Sequence, residues 1–150
     1  MKLTDYLKPD HIFTDFRAED KSSALRLLCR LAAGLDGLDY QKILQVVLNR
    51  ETSGSTGLGG SVALPHGKST EVERPILLMA LSKAGVDFDS LDGKPVKLFV
   101  LLLSPKEGDG GEHLQLLASL GRLLKSGSVV AEILSSADAD GVYQLLQERD

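Results

Sequence analysis

The sequence predicts a three-layer α/β/α sandwich in which a mixed β-sheet lies between layers of helices. Two near-continuous apolar runs, at 75–82 and 96–104, are typical of strands that are covered on both faces. Segments with the apolar spacing of helices come both before and after these runs. The length of 150 residues, with no repeat, low-complexity tract or convincing linker, predicts a single domain over 1–150.

The first third of the chain predicts a short strand followed by two helices. The strand is expected over 12–16. The first helix is expected over 20–33, because Asp20 can cap its start and Gly34 can end it. The second helix is expected over 39–50. The faces expected to be buried carry Ala24, Leu27, Leu28 and Leu31 in the first helix and Ile43, Leu44, Val47 and Leu48 in the second.

A glycine-rich segment follows at 52–60, and it holds too much glycine and serine for a regular element. It leads into a short strand over 61–64, which the triplet 65–67 (Pro-His-Gly) is expected to end. The two apolar strands come next. Turn-forming residues at 91–95 are expected to join them.

Beyond the apolar strands, a polar loop at 105–111 leads to three predicted helices. They are expected over 112–125, over 128–134 and from about Asp138 onwards. The stripe expected to be buried in the longest of them consists of Leu114, Leu117, Leu120 and Leu124.

Composition and charge exclude several classes of function. The formal net charge is −4 and no basic stripe is present, so nucleic acid is not an expected partner. The longest purely apolar runs, 76–81 and 98–103, are far shorter than the roughly 18 residues of a membrane-spanning helix. The N-terminus lacks the apolar core of a signal peptide, and the single cysteine rules out an internal disulfide. We therefore expect a cytoplasmic protein without direct membrane insertion.

The common cofactor motifs are absent. The residues at 67–69 resemble the end of a nucleotide-binding P-loop, but Val62 stands where that motif needs a glycine. Gly57 and Gly59 are also followed by Val62 where a dinucleotide fingerprint has its third glycine. The acidic residues at 87–92 lack the spacing of a calcium-binding EF-hand loop. No cofactor and no metal ion are expected.

The glycine-rich segment and His66 together suggest a phosphate beside an imidazole. Glycines allow a close approach of the backbone, successive N–H groups can bind an anion, and Ser55 and Thr56 add hydroxyl donors. A neutral imidazole is a good nucleophile, since its ordinary pKa is about 6.5. The motif alone leaves open that His66 is a buried, hydrogen-bonded structural histidine.

The segment 51–67 carries a longer pattern: an acidic or amide residue, spaced aliphatic and small residues, then Ala, an aliphatic residue and Pro-His followed by a small residue. Its constrained positions are filled by Glu51, Leu58, Gly59, Val62, Ala63, Leu64, Pro65, His66 and Gly67. This segment resembles the signature of the enzyme IIA domains of bacterial phosphotransferase systems, of the fructose, mannitol and nitrogen-regulatory type. The resemblance also covers 86–96 and 113–117, and it implies the α/β fold predicted above.

The resemblance implies roles for four residues. It makes His66 the acceptor of a phosphoryl group, as a phosphohistidine intermediate. His113 is similar to the second histidine of the family's site; its alternative is an exposed polar residue at a helix start. Arg50 matches an arginine that lines the site, although a cation also suits the end of a helix. Thr56 aligns with a threonine that contacts the phosphate; its alternative is a turn residue.

The remaining histidine and the cysteine match no motif. His11 is expected to be a surface residue. Cys29, within the first predicted helix, is expected to be a small residue of the core.

Two functions are compatible with the resemblance, and both make the protein a phosphotransferase. In the first, it is a nitrogen-regulatory IIA protein that is phosphorylated by an HPr-type carrier and binds a regulated target protein. The alternative is a sugar-specific IIA component that passes phosphate to a IIB domain during uptake. A chain of this size without a IIB or transporter portion favours the regulator. The sequence predicts neither the sugar, nor the regulated partner, nor the oligomeric state.

Overall fold

A central mixed β-sheet organises the fold. The computed structural model describes residues 2–108 and 110–149, and within these residues the sheet has six strands. The strands are β1 (Ile12–Phe13), β2 (Gly57–Gly59), β3 (Val62–Ala63), β4 (His66–Ser69), β5 (Ile76–Val86) and β6 (Val96–Pro105).

The two long strands β5 and β6 pair antiparallel at the centre of the sheet. On the far side of β5 lies β1, in parallel register. On the far side of β6 lie β3 and β4, both parallel to it, and β2 closes that edge as an antiparallel partner of β3. The mixture of parallel and antiparallel pairs confirms the predicted sheet type.

Helices cover both faces of the sheet. They are α1 (Lys21–Asp36), α2 (Tyr40–Thr52), α3 (Glu112–Lys125), α4 (Gly127–Leu134) and α5 (Ala139–Arg149). Side chains alternate along β5, so that Leu78 and Ala80 pack with the buried face of α1 and α2, whereas Leu77 and Met79 pack with α3, α4 and α5. The three-layer α/β/α architecture is therefore confirmed.

The first helix confirms its predicted start and corrects its predicted end. The Asp20 carboxylate accepts a hydrogen bond from the backbone N–H of Ser23, which is the expected N-cap. The helix does not end at Gly34. It continues to Asp36, and Gly37 takes the left-handed conformation at φ 65°, donating its N–H to Ala33. Cys29 is fully buried, as predicted.

Several predicted boundaries and faces are corrected. β1 is shorter than the predicted 12–16, and β5 extends beyond 82 to Val86. The predicted irregular segment 52–60 contains β2 and the end of α2. The buried faces of α1 and α3 are rotated from those predicted: Leu27, Leu31 and Leu117 are only partly buried and Leu114 is 72% exposed, whereas Leu25, Leu116 and Ala32 are buried.

His11 is not the surface residue that was expected. It is 7% exposed, its Nδ1 lies 2.9 Å from the Asp10 carboxylate and its Nε2 lies 3.1 Å from Asp36. The 3₁₀ turn Pro9–His11 places the ring against the last residue of α1. The ring therefore joins the N-terminal segment to α1, a long-range contact that local sequence does not indicate.

The sequence predicted no direct membrane insertion. Among the residues that the structure describes, no helix combines the length and the apolar character needed to cross a bilayer.

Candidate functional site

His66 begins the second of two short strands that pair with β6 in the same register. β3 pairs with β6 at Ala63, and β4 pairs with β6 again from His66, whose Cα partner is Leu102. The triplet beginning at Pro65 was expected to end the strand, but pairing resumes at His66. Proline has no N–H for the ladder, and its carbonyl instead accepts from the Leu102 N–H at 3.0 Å. Leu64 donates its N–H to the Thr56 carbonyl, and its own carbonyl lies beside the His66 ring.

Two contacts define the protonation of the His66 ring. Nδ1 lies 2.9 Å from the Leu64 carbonyl oxygen, which can only accept a hydrogen bond, so Nδ1 carries the proton. Arg50 Nε, which can only donate, lies 3.2 Å from Nε2. Both contacts lead to the same neutral tautomer, in which the lone pair is on Nε2.

The surroundings of His66 favour this neutral form. Burial, and to a smaller extent the positive charge of Arg50, hold the pKa of His66 below the ordinary 6.5. The hydrogen bond to Leu64 and the charge of Glu51 act in the opposite direction without reversing the shift. At neutral pH the ring is therefore an uncharged nucleophile.

Arg50 reaches the site from the last turn of α2. Its Nη1 donates to the Gly54 carbonyl at 2.9 Å while its Nε faces His66. The guanidinium is thus fixed in the loop that follows its own helix, and these two bonds do not use all of its N–H donors. The planar group suits a phosphoryl oxygen as a second acceptor.

His113 lies next to His66, as the resemblance implied. It is the second residue of α3, is 9% exposed, and its ring centroid is 5.7 Å from that of His66. Its Nδ1 is 2.6 Å from the hydroxyl of Ser104, a fully buried residue near the end of β6. The alternative of an exposed polar residue is therefore wrong. Ser104 was missed, although a serine that ends an apolar strand was a visible signal.

Thr56 is buried, but it faces a carboxylate. Its hydroxyl and its N–H donate to the two oxygens of Glu51, at 2.5 Å and 2.8 Å. Its carbonyl accepts from the N–H of Leu64 at 2.9 Å. Thr56 is thus connected to His66 through Leu64. Its expected contact with phosphate stays a prediction.

The glycines of the signature have different tasks. A Cβ on Gly57 would lie 3.0 Å from the Ser90 hydroxyl, and one on Gly59 would lie 3.3 Å from the Asp92 carboxylate. These two glycines therefore allow the 87–92 loop to pack closely against β2. A Cβ on Gly67 would lie 3.0 Å from a methyl group of Val46 on α2 and 3.3 Å from its backbone. The small residue after Pro-His therefore lets β4 approach the helix that carries Arg50.

No group of three or more potential metal ligands occurs in the parts of the chain that the structure describes. The chemistry-bearing side chains around His66 are an arginine, a second histidine and a buried carboxylate. Such a set suits the binding and transfer of an anion by a nitrogen nucleophile.

Comparisons with known proteins agree with this fold. A solved structure of nitrogen regulatory protein IIA-Ntr from Neisseria meningitidis superposes with a TM-score of 0.88 at 30% identity, covering 96% of this chain and 98% of that one. The "Nitrogen regulatory protein" of Bradyrhizobium diazoefficiens is 38% identical over 97% of this chain and 95% of its own length. The "PTS system fructose-specific EIIA component" of Haloferax volcanii is 35% identical over 85% of this chain and 83% of its own length.

The fold is therefore that of an enzyme IIA phosphotransfer protein. Residues 5–149 match the model of the phosphoenolpyruvate-dependent sugar phosphotransferase system, EIIA 2, and the chain belongs to this family.

Proposed function

We propose that the protein is a phosphoryl carrier that accepts phosphate from an HPr-type protein on Nε2 of His66. The tautomer of His66 is the observation that carries the proposal. Leu64 holds the proton on Nδ1 at 2.9 Å, so the lone pair lies on the nitrogen that faces Arg50. This geometry and membership of the EIIA 2 family both support a phosphohistidine intermediate.

Phosphoryl transfer to His66 forms one bond, breaks one bond and needs no cofactor. The Nε2 lone pair forms a bond to phosphorus while the bond between phosphorus and the donor group breaks, and the donor keeps that electron pair. The ring retains its Nδ1 proton, and the Leu64 carbonyl stabilises the positive charge that develops on the ring. Arg50 leaves Nε2 and donates to the phosphoryl oxygens instead.

The other two candidate residues act around the transferred group. His113 hydrogen-bonds the phosphoryl group, since its ring centroid is only 5.7 Å from that of His66. Ser104 holds the other side of the His113 ring at 2.6 Å and so limits its rotation. Phosphate contact by Thr56 requires its hydroxyl to leave the Glu51 carboxylate, and that role remains a prediction.

The direct test is phosphorylation by a purified HPr-type carrier that has been charged from phosphoenolpyruvate. Intact-mass spectrometry should show the gain of one phosphoryl group on the wild type and on His113→Ala, but not on His66→Ala. The modification should be labile in acid and stable in alkali, as expected of a phosphoramidate. Full labelling of a folded His66→Ala variant would show that the acceptor lies elsewhere.

We propose a nitrogen-regulatory role, in which the phosphorylation state of His66 determines binding to a target protein. The similarity to the Bradyrhizobium diazoefficiens protein extends over nearly the whole length of both chains and supports this role. A donor charged from phosphoenolpyruvate, a cytoplasmic metabolite, also supports a cytoplasmic location. Copurification from cells, comparing the phosphorylated protein with His66→Ala, should show a partner that distinguishes the two states.

The second candidate is a sugar-specific IIA component. The similarity to the fructose-specific protein of Haloferax volcanii supports it. A transfer assay with a purified fructose-type IIB domain separates the two roles. Rapid discharge of phosphorylated His66 to that domain would favour sugar uptake, and absence of discharge would favour regulation.

A further inference from the structure

We infer that Glu51 is a positioning residue, which fixes the Nδ1 side of His66 through Thr56 and Leu64. Its neighbour Arg50 holds the Nε2 side directly, so two consecutive residues of α2 control both ring nitrogens. The inference rests on the proposed function, because it explains how the nucleophilic tautomer is maintained. The resemblance to the family calls for an acidic or amide residue at this position and gives it no role.

The Glu51 carboxylate lies in a buried environment with several partners. Its side chain is 7% exposed, although glutamate is rarely buried without partners. One oxygen accepts the Thr56 hydroxyl at 2.5 Å and the other accepts the Thr56 N–H at 2.8 Å. Lys21 Nζ lies 3.6 Å from the same carboxylate and 4.9 Å from the centre of the Phe88 ring. The carboxylate is thus paired and hydrogen-bonded, and it ties the end of α2 to Thr56 and to α1.

The backbone of Thr56 connects Glu51 to Leu64. Because Glu51 holds both the N–H and the hydroxyl of Thr56, the Thr56 carbonyl is held in a fixed direction. That carbonyl accepts from the Leu64 N–H at 2.9 Å. Leu64 lies between β3 and β4, and this bond continues the antiparallel pairing of β2 with β3 by one residue pair beyond Gly57 and Ala63.

Leu64 in turn contacts the His66 ring. The Leu64 carbonyl accepts from Nδ1 of His66 at 2.9 Å. On the opposite side, Arg50 is held by the Gly54 carbonyl, which belongs to the loop that the Glu51–Thr56 contact closes. Loss of the Glu51 carboxylate should therefore loosen both contacts of the His66 ring at once.

The expected consequence is a mixture of His66 tautomers and a less well directed Nε2. Small displacements of a reacting atom can lower a rate by about 100-fold. We expect Glu51→Ala to lower the single-turnover rate of phosphoryl loading roughly 10-fold to 100-fold. The concentration of phosphorylated carrier that gives half the maximal rate should change little, because Glu51 does not present its carboxylate to a docking partner.

Glu71 offers a matched control at the other end of α2. Its carboxylate accepts from the Asp39 N–H at 2.7 Å and lies 3.8 Å from Lys42 Nζ, so it also ties this helix to a neighbouring segment. None of the contacts described for this carboxylate leads to His66. Glu71→Ala should leave both the His66 ring and the loading rate as in the wild type.

The experiment combines imidazole ¹⁵N NMR with single-turnover loading from a phosphorylated HPr-type carrier, on the wild type, Glu51→Ala, Glu51→Gln and Glu71→Ala. In Glu51→Ala the two ¹⁵N shifts of the His66 ring should move towards each other, and loading should slow. Glu51→Gln keeps an oxygen acceptor but loses the charge that pairs with Lys21, and it should fall between Glu51→Ala and the wild type.

Wild-type ring shifts and a wild-type rate in both Glu51 variants would overturn the inference. If Glu51→Ala does not fold, the same result in Glu51→Gln alone would overturn it. Failure of the wild type to accept phosphate would instead contradict the proposed function. The ¹⁵N shifts would still test the inference in that case, since they require no phosphorylation.

Discussion

Arg50 covers the reactive atom of His66: its Nε donates to Nε2 across 3.2 Å. The nitrogen with the lone pair is therefore bonded to a cation before any phosphoryl group arrives. Attack on phosphorus requires this bond to break, and the phosphoryl oxygens offer Arg50 stronger, charged acceptors in its place. In the proposed transfer, the same arginine keeps the neutral ring oriented and then stabilises the transferred group.

We expect Arg50→Ala to slow phosphoryl loading about 100-fold to 1000-fold, the usual cost of removing one preorganised donor from such a site. Removal of the positive charge should also raise the pKa of His66 towards its ordinary value, because Arg50 contributes to lowering it. Arg50→Lys keeps the charge without the planar fork. The pKa of His66 should therefore lie closer to its wild-type value than the loading rate does.

Single-turnover loading and an NMR titration of His66 measure the two effects of Arg50 separately. Arg74→Ala is a suitable control, since that arginine packs against Tyr6 and donates to the Asp5 carbonyl, away from the described contacts of His66. An unchanged pKa and an unchanged rate in Arg50→Ala would show that the contact with Nε2 has no functional part.

The lowered pKa of His66 predicts a pH dependence of stability. The unfolded chain binds a proton on this residue near the ordinary pKa of 6.5, whereas the folded protein does so only at lower pH. Between these two values the unfolded state binds more protons, so the free energy of unfolding falls as the pH is lowered through this window. Above pH 6.5 and below the folded pKa, His66 adds no slope.

Urea unfolding of the wild type and of His66→Ala across this window measures that contribution. The difference in unfolding free energy between the two proteins should change as the pH falls below 6.5, to the disadvantage of the wild type. A difference that is constant over the whole series would contradict the lowered pKa.

Gly67→Val should damage the site through α2. A Cβ at this position would already lie 3.0 Å from a Val46 methyl group and 3.3 Å from its backbone carbon, and valine adds further bulk. Such overpacking costs about 1–3 kcal/mol, and the relief available is a shift of the helix that carries Arg50. We therefore expect both a lower melting temperature and slower loading.

A double-mutant cycle tests the Gly67 contact. Val46→Ala should restore part of the stability and part of the loading rate to Gly67→Val, because it removes the crowded methyl groups. Gly121→Ala in α3 is the control: a Cβ there meets nothing within 4 Å, and alanine suits a helix interior better than glycine. Additive effects of the two substitutions would show that Val46 is not the source of the strain.

Local patterns were sufficient for the layers of the fold. Two long apolar strands and flanking helices predicted the sandwich, and the signature segment predicted the candidate nucleophile. The protonation of the His66 ring was not predictable, since it depends on the contact of Nδ1 with the Leu64 carbonyl, which only the folded backbone reveals. The task of Glu51 likewise depends on a contact across a loop.

Errors in the helical faces have a similar origin. The predicted stripe of α3 contained Leu114, but the helix is rotated so that His113 turns inwards to Ser104 and Leu116 is buried. Hydropathy favours leucines and gives no weight to a buried polar pair such as His113 and Ser104. His11 was placed at the surface for the same reason, since its two carboxylate partners come from different segments.

The two histidines of the site should differ in the step that their removal impairs. His113→Ala should still accept phosphate on His66, although more slowly, because Nε2 of His66 and Arg50 remain in place. Discharge should suffer more, by about 100-fold to 1000-fold, because stabilising a moving phosphoryl group depends mainly on positioned donors. His113→Gln retains an amide donor and should recover part of this loss. Ser104→Ala leaves the imidazole but removes its 2.6 Å partner, so its discharge rate should lie between those of His113→Ala and the wild type. Loading and discharge are measured in single turnovers, with an HPr-type carrier as the donor and the unphosphorylated carrier as the acceptor. Wild-type discharge by His113→Ala would show that His113 is a structural neighbour of the phosphoryl group and takes no part in its transfer.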